Sequence, residues 1–154
     1  MVIGLNTTKP IKIKPIYEND QNKEEEKDID GEDTSNKKTY DIRERTLQFG
    51  IRIVMISMDI PTNTIFSTIR SQIIKSGTSI GANFAEGDGA KTKRDFVNKL
   101  VIARTEAKET KYWLRLLNGL NVAKLKLDDD IDEAQQLINI ISAIINKIEK
   151  SGTN

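Results

Sequence analysis

The sequence predicts an all-α protein, an antiparallel up-down-up-down four-helix bundle preceded by a disordered or arm-like N-terminal tail. Four segments between residues 41 and 150 carry apolar residues at helical spacing, and short connections join them, as in bundles of antiparallel neighbours. Residues 1–40 have too few apolar residues to offset the entropy of ordering them. The predicted division is a tail at 1–40, a bundle at 41–150 and a short C-terminal tail at 151–154.

The tail is acidic. Residues 18–33 contain nine acidic residues and two lysines, a net charge of −7. Ile11–Tyr17 alternates like a strand, but Pro15 limits that segment to an edge or an arm. Two interpretations remain open: a mobile tail, or an arm that docks on the bundle or on a neighbouring subunit.

The first two helices are separated by Pro61. Asp41 is the predicted start of the first helix, since an acid or hydroxyl residue with Glu three positions later is a capping pattern. The second helix is predicted to begin at residue 62 or 63 and to end at Glu86, with Gly87 in the left-handed conformation common after helix ends. Their predicted core residues are Ile42, Phe49, Ile53, Ile56 and Ile60, then Phe66, Ile69, Ile73, Ile80 and Phe84.

The third and fourth helices have clear start signals. Thr92–Asp95 is a capping box, and Gly119 and Asn121 end the third helix. The charges of Asp128–Asp130 favour the start of a fourth helix, which runs to about Lys150. The predicted core residues of the third helix are Phe96, Leu100, Ala103, Ala107, Thr110, Leu114 and Leu117.

The fourth helix has more apolar surface than one core contact requires. Its apolar residues fill an arc of roughly 180° at 100° per residue, whereas a core-facing stripe needs about 100°. We expect self-association through this surplus; the alternative is a helix deeply buried within one subunit. Gly77 and Gly81 form G-x-x-x-G and predict close helix packing instead of chemistry. The predicted oligomer or packing residues are Gly77, Gly81, Trp113, Leu116, Ile140 and Ile144.

One flank of the third helix is basic. A helical wheel places six cations there and the acids on the opposite flank. Like-charged pairs at i,i+4 cost an isolated helix about 0.2–0.5 kcal/mol each, so stability alone does not explain the pattern. With Lys91 in the preceding turn, these are the candidate nucleic-acid-binding residues: Lys91, Lys93, Arg94, Arg104, Lys108, Lys111 and Arg115. The alternatives are a solvated face or one neutralised by the acidic tail.

The turn before the third helix is also unusual. Cations at a helix N-terminus oppose the helix dipole, and Glu86 is an acid near a helix C-terminus. A bound anion such as phosphate would relieve the first problem. An internal pair of Glu86 with Lys91 or Arg94 would relieve both, and we favour that pair over a phosphate site.

Composition excludes several kinds of site. The chain has no Cys and no His, which excludes disulfides, zinc sites of the usual ligands and His-based triads. The candidate carboxylates Glu86, Glu106 and Glu109 have no accompanying base or phosphate loop. We therefore predict no enzymatic activity, no catalytic residue, no cofactor and no metal. Neither a signal peptide nor an apolar run of membrane-spanning length is present, so a cytoplasmic location is expected, without a membrane partner.

Three segments carry a family resemblance. DIRERT at Asp41–Thr46, SGTSIGANFAEG at Ser76–Gly87 and DFVNKLVIARTEAKETKYWLRLL at Asp95–Leu117 resemble the bacterial four-helix-bundle family whose founding members are encoded by intervening sequences within 23S rRNA genes. That family is similar in fold to the accessory protein of diversity-generating retroelements. The resemblance extends from residue 41 to about residue 150, while residues 1–40 depart from the compact family pattern.

The resemblance implies a ring-like homopentamer without known catalytic activity. The accessory relatives bind nucleic acid and a reverse transcriptase through a basic surface, so RNA or DNA and a reverse transcriptase are the implied partners. Our leading hypothesis is a non-enzymatic, oligomeric accessory factor that binds nucleic acid, RNA favoured, through the basic flank. The alternative is a protein-interaction scaffold that uses apolar residues such as Trp113, Leu116 and Ile140.

Overall fold

A computed structural model describes residues 41–122 and 125–151, and the predictions for residues 1–40 and 152–154 lie outside these ranges. The described residues form four helices and no strand, which confirms the all-α four-helix bundle. Contacts between consecutive helices pair the start of one with the end of the next, as Arg43 with Asp88 and Lys93 with Ser151 show, so neighbours run antiparallel. The helices are α1 (Ile42–Met58), α2 (Thr64–Asp88), α3 (Lys93–Gly119) and α4 (Asp128–Lys150).

Side-chain caps fix the starts of the first three helices. The Asp41 carboxylate accepts from the amide of Arg43 at 3.0 Å, and Asn63 Oδ1 accepts from the amide of Phe66 at 3.1 Å. Thr92 Oγ1 accepts from the Asp95 amide at 3.1 Å and donates to the Asp95 carboxylate at 2.7 Å, which confirms the capping box. The start of α4 has no side-chain cap; the three aspartates occupy its first turn, where they favour the helix dipole.

Gly87 does not have the predicted left-handed conformation. No glycine among the described residues has a positive φ, and α2 continues through Gly87 to Asp88 with Gly89 as its C-cap. Gly87 is buried, and a Cβ built there would lie 3.0 Å from Cδ2 of Phe96. The glycine therefore serves the close approach of α3 to α2, a requirement that no pattern within α2 itself reveals.

The core follows the predicted stripes closely. Every predicted core residue of α3 is buried except Phe96, which is half-buried against the core. In α1 and α2 the half-buried exceptions are Ile42, Phe66 and Ile69. The largest fully buried side chains include Phe49, Ile53, Ile60, Ile73, Ile80, Leu100, Leu114, Leu117, Leu127, Leu137 and Ile141.

Glycines set the contact between α1 and α2. A Cβ on Gly77 would lie 2.6 Å from Cγ2 of Ile53, closer than real side chains approach. A Cβ built on Gly50 would lie 3.5 Å from the Gly77 carbonyl oxygen, and one built on Gly81 would lie 3.5 Å from the backbone of Thr46, both ordinary contact distances. The close approach of the two helices therefore depends on the missing side chain of Gly77, against which Ile53 packs.

Ion pairs join α1 to α4. Arg45 forms a two-pronged pair with Glu133 at 2.6 and 2.7 Å, and the two side chains are only 12% and 2% exposed. Arg52 pairs with Asp130 at 2.9 Å, and the Asp130 side chain is buried. A helix wheel shows neither pair, because each depends on how α1 lies across α4. The acidic start of α4 thus has a packing role besides its favourable interaction with the helix dipole.

Candidate nucleic-acid interface

The basic flank of α3 lies beside α4. Lys111 Nζ donates to Gln135 Oε1 at 2.6 Å, and Lys93 Nζ donates to Ser151 Oγ at 2.8 Å. The two contacts lie about five turns apart on α3, so the flank between Lys93 and Lys111 follows the seam between α3 and α4. We call Arg104, Lys108, Lys111 and Arg115 the basic row; they recur at i, i+4, i+7 and i+11 and project to the solvent side of this seam.

None of the seven candidate cations pairs with an acid in the described part of the chain. The ion pairs found there use Arg43, Arg45, Arg52 and Lys99, none of which belongs to the predicted set. Lys91, Arg94, Lys108 and Arg115 are exposed. The only hydrogen bonds that members of the set donate within the described residues go to neutral groups, from Lys93 and Lys111. The flank therefore presents cations that form no ion pair within the described residues.

The opposite flank of α3 is compensated. Lys99 Nζ donates to Glu86 Oε2 at 2.5 Å, and Trp113 Nε1 donates to Glu109 at 3.1 Å. Burial raises the pKa of the Glu106 carboxyl, the Glu109 carboxylate raises it further, and Lys75 opposes the shift. This flank packs against α2, where Thr110 Oγ1 donates to Ser76 Oγ at 2.9 Å in the core. The acids of α3 thus participate in helix packing and do not neutralise the basic row.

The predicted pair of Glu86 with Lys91 or Arg94 is wrong. Glu86 reaches Lys99, one turn further along α3, because Gly87 lets α3 pack closely against the end of α2. Asp88 is occupied by Arg43 of α1, whose hydrogen bonds hold the pKa of the Asp88 carboxyl below its ordinary value. The cations of the turn therefore keep no acidic partner within the described residues.

A shallow depression of about 450 Å³ lies at this end of α3. Its walls are formed by Lys93, Arg94, Val97, Asn98, Ile148 and Glu149. Glu149 places a negative charge in the same wall as the two cations. No group of three or more potential metal ligands occurs among the described residues.

The predicted oligomer or packing residues occupy two settings. Gly77 and Gly81 lie at the contact between α1 and α2 inside one chain. The other four, Trp113, Leu116, Ile140 and Ile144, are half-buried at the surface of the bundle. Ile144 and Trp113 pack against the core of their own chain. The surplus apolar arc of α4 is therefore used partly within the subunit.

Sequence reasoning missed the apolar outer face of α1. Leu47, Ile51, Met55 and Met58 are between 38% and 73% exposed. They recur at i, i+4, i+8 and i+11, so they form one stripe opposite the core face. The spacing of these residues is visible in the sequence, because α1 has apolar residues on two faces. Sequence reasoning assigned only the face with the core residues.

Tyr112 was also missed. Its ring is 58% exposed and makes an edge-to-face contact with Trp113, with ring centroids 5.0 Å apart. It lies four residues after Lys108 and three before Arg115, on the side of the basic row away from α4. An exposed aromatic beside cations is a feature that nucleic-acid-binding surfaces use for base stacking.

No helix of the described residues is both long and apolar enough to cross a membrane.

The comparisons with known proteins support the resemblance seen in the sequence. A family model described as 23S rRNA-intervening sequence protein matches residues 38–147. No curated protein matches the chain.

A solved structure is similar in both sequence and fold. It is a crystal structure, at 1.70 Å resolution, of a protein of unknown function from the S23 ribosomal protein family of Bacteroides thetaiotaomicron VPI-5482. The identity is 33%, the TM-score is 0.62, and the match covers 68% of this chain and 97% of the other. Together with the fold and the matched segments, these findings show that the chain belongs to the 23S rRNA-intervening sequence protein family.

Proposed function

We propose that this protein is a non-enzymatic, oligomeric, cytoplasmic accessory factor that binds nucleic acid, RNA in preference to DNA, through the basic flank of α3. The observation that carries the proposal is the absence of an acidic partner for Lys91, Lys93, Arg94 or the basic row among the described residues. The cations that do form ion pairs in the described residues, Arg43, Arg45, Arg52 and Lys99, lie outside this set.

The arrangement of these cations has a cost that a ligand would offset. Arg104 with Lys108, and Lys111 with Arg115, are like charges one turn apart, and each such pair destabilises a helix by about 0.2–0.5 kcal/mol. A polyanion that bridges them converts this repulsion into attraction and releases its own counterions. From Lys93 to Arg115 the flank extends about 33 Å at 1.5 Å per residue, which suits a ligand with several phosphates in a line.

The salt dependence of binding tests this proposal. A variant with glutamine at all four positions of the basic row should bind a structured RNA more weakly. The magnitude of the slope of log K against log salt should fall by about 2.8 to 3.6 for four lost phosphate contacts, since each neutralised phosphate contributes about 0.7–0.9. Fluorescence anisotropy between 50 and 300 mM salt measures this slope.

A charge-matched control separates the basic row from net charge. Arg70, Lys75, Lys126 and Lys147 lie outside the row, and none of them forms an ion pair with a described residue. Replacing these four by glutamine removes the same charge and should leave most of the slope intact. Equal slopes for the wild type and the basic-row variant would rule out this face as the binding site.

The oligomer belongs to the same proposal. The resemblance implies a ring-like homopentamer, and the exposed stripe of α1 is the apolar surface best suited to contact between subunits. Light scattering on the wild type should give a mass several times 17.4 kDa. Leu47→Ser combined with Met55→Ser should lower that mass, and a monomeric wild type would contradict the oligomer.

The same stripe supports the second candidate function, a protein-interaction scaffold. In that case the partner contacts would be apolar and would survive high salt, whereas contacts through the basic row would not. A reverse transcriptase is the partner suggested by analogy of fold. Binding of a purified candidate at 1 M salt, lost in the α1 variant and kept in the basic-row variant, would favour the scaffold.

A further inference from the structure

The solvent-exposed side of α4 lacks charge over most of its length. From residue 134 to residue 146 the chain has no charged side chain, although 31% of its residues are charged. Gln135, Asn139, Ser142 and Asn146 recur there at i, i+4, i+7 and i+11 and form a line that we call the amide row. This spacing is identical to that of the basic row.

The amide row lies next to the basic row across the seam between the two helices. Lys111 Nζ donates to Gln135 Oε1 at 2.6 Å, and Gln135 Nε2 donates to Asn139 Oδ1 at 2.7 Å. This chain of hydrogen bonds begins on the basic row and ends on an exposed amide. Packed helices are about 8–10 Å apart, so the two rows form one surface with cations on one side and neutral polar groups on the other.

We infer that the two rows form an RNA-selective surface, in which the basic row contacts phosphates and the amide row contacts ribose 2′-hydroxyl groups. This inference rests on the proposed function and specifies what the α4 side of that site recognises.

The chemistry of the amide row suits a hydroxyl group. A ribose 2′-hydroxyl both donates and accepts hydrogen bonds, and an amide side chain offers both kinds of partner. Asn139 Oδ1 accepts a hydrogen bond from Gln135, and this bond orients the Asn139 side chain. Its Nδ2 donors make no hydrogen bond with described residues. The absence of acids from this stretch also avoids repulsion of the phosphates bound beside it.

The 2′-hydroxyl is the group by which a protein distinguishes RNA from DNA at a given site. Tyr112 provides the competing mode of recognition, because it lies on the other side of the basic row and would stack an unpaired base irrespective of the sugar. The two modes predict different behaviour when the sugar of the ligand is changed.

The test uses the full chain with Asn139→Ala and Asn146→Ala combined. Dissociation constants are measured at one salt concentration for an RNA, for DNA of the same sequence, and for the 2′-O-methylated RNA. The wild type should prefer RNA over both analogues. The double variant should lose about tenfold of that preference, the size expected from one or two lost hydrogen bonds, while its salt slope stays unchanged. The control is Gln72→Ala, which removes an amide side chain from α2, outside both rows; this variant should bind like the wild type.

Several results would overturn the inference while the proposed function stands. One is an unchanged preference for RNA in the double variant. Another is equal affinity of the wild type for RNA and DNA, with binding that still requires the basic row; nucleic-acid binding by the basic row would then stand, and the preference for RNA in the proposed function would fall with this inference. A third is loss of RNA affinity in Tyr112→Ala together with normal behaviour of the double variant. A change of oligomeric mass in the double variant would assign the amide row to a subunit interface. Absence of nucleic-acid binding by the wild type would overturn both proposals.

Discussion

The cations of α1 and those of the basic row on α3 lie on the flanks of their helices, but their surroundings differ. Arg43, Arg45 and Arg52 each reach a carboxylate on another helix. The basic row finds none in the described chain, and Lys111 contacts only a neutral amide of α4. The two regions have the same kind of charge and the same kind of helix, and only the neighbouring helix distinguishes them.

This difference separates cations that stabilise the bundle from cations that remain available to bind a ligand. Pairing with a buried carboxylate makes a cation structural, because removing it leaves an uncompensated charge inside the protein. A row of like charges without such partners contributes nothing favourable to folding. Four predictions test this division, from the largest expected effect to the smallest.

Arg45→Met should destabilise the bundle by about 3–5 kcal/mol, because it removes the guanidinium that forms the two-pronged pair with the buried Glu133 carboxylate. Urea unfolding followed by circular dichroism measures the free energy of unfolding. Adding Glu133→Leu should restore most of the loss, since an apolar pair of similar volume is often as stable as a buried ion pair. A loss below about 1 kcal/mol, the range measured for exposed ion pairs, would show that α1 does not depend on this contact.

Gly77→Ala should destabilise by about 1–3 kcal/mol, because the new Cβ overlaps Ile53 and forces α1 away from α2. The contact of Gly77 with Ile53 positions α1, and therefore its arginines, so the comparison of the α1 cations with the basic row depends on it. Gly81→Ala is the matched control. Its Cβ would meet only ordinary contacts at 3.5 Å or more, so the gain in helix propensity should make it neutral or stabilising by up to about 1 kcal/mol. Equal effects at both glycines would contradict the close approach at Gly77.

The basic-row variant with four glutamines should unfold at a slightly higher urea concentration than the wild type. Removing the like-charged pairs is expected to contribute about 0.4–1 kcal/mol. The gain should shrink at high salt, where the repulsion is screened. A clear loss of stability would place these cations in the structural class with those of α1.

Glu106→Gln should have the smallest effect, and the effect should depend on pH. The folded-state pKa of Glu106 is raised, so the folded state binds the proton more tightly than the unfolded state and stability decreases as pH rises through that pKa. The variant should therefore be slightly more stable than the wild type at pH 7. The difference should vanish as pH falls below the ordinary glutamate pKa, and thermal unfolding between pH 7 and pH 4 measures it. A gain that persists unchanged at low pH would show that titration of Glu106 is not its cause.

Much of the fold was predictable because a helix shows itself in the sequence of its own segment, through apolar periodicity and capping residues. Periodicity located Leu100, Leu114 and Leu117 in the core, and capping chemistry located the start of α3 at Thr92. The candidate site was predictable in part, since the wheel placed the basic row on one flank. The sequence pattern did not show that Glu86 pairs with Lys99, because that contact depends on the packing of two helices.

The sequence by itself determined the number of helices, the N-caps at Asp41 and Thr92, the core stripes and the charge of each face, since all of these follow from spacing along one chain. The tertiary structure decided which charges meet. Helix register and crossing bring Glu133 to Arg45 and occupy Asp88 with Arg43, and they leave the basic row beside the uncharged amide row of α4. These contacts join residues up to 88 positions apart, a separation at which local periodicity carries no information.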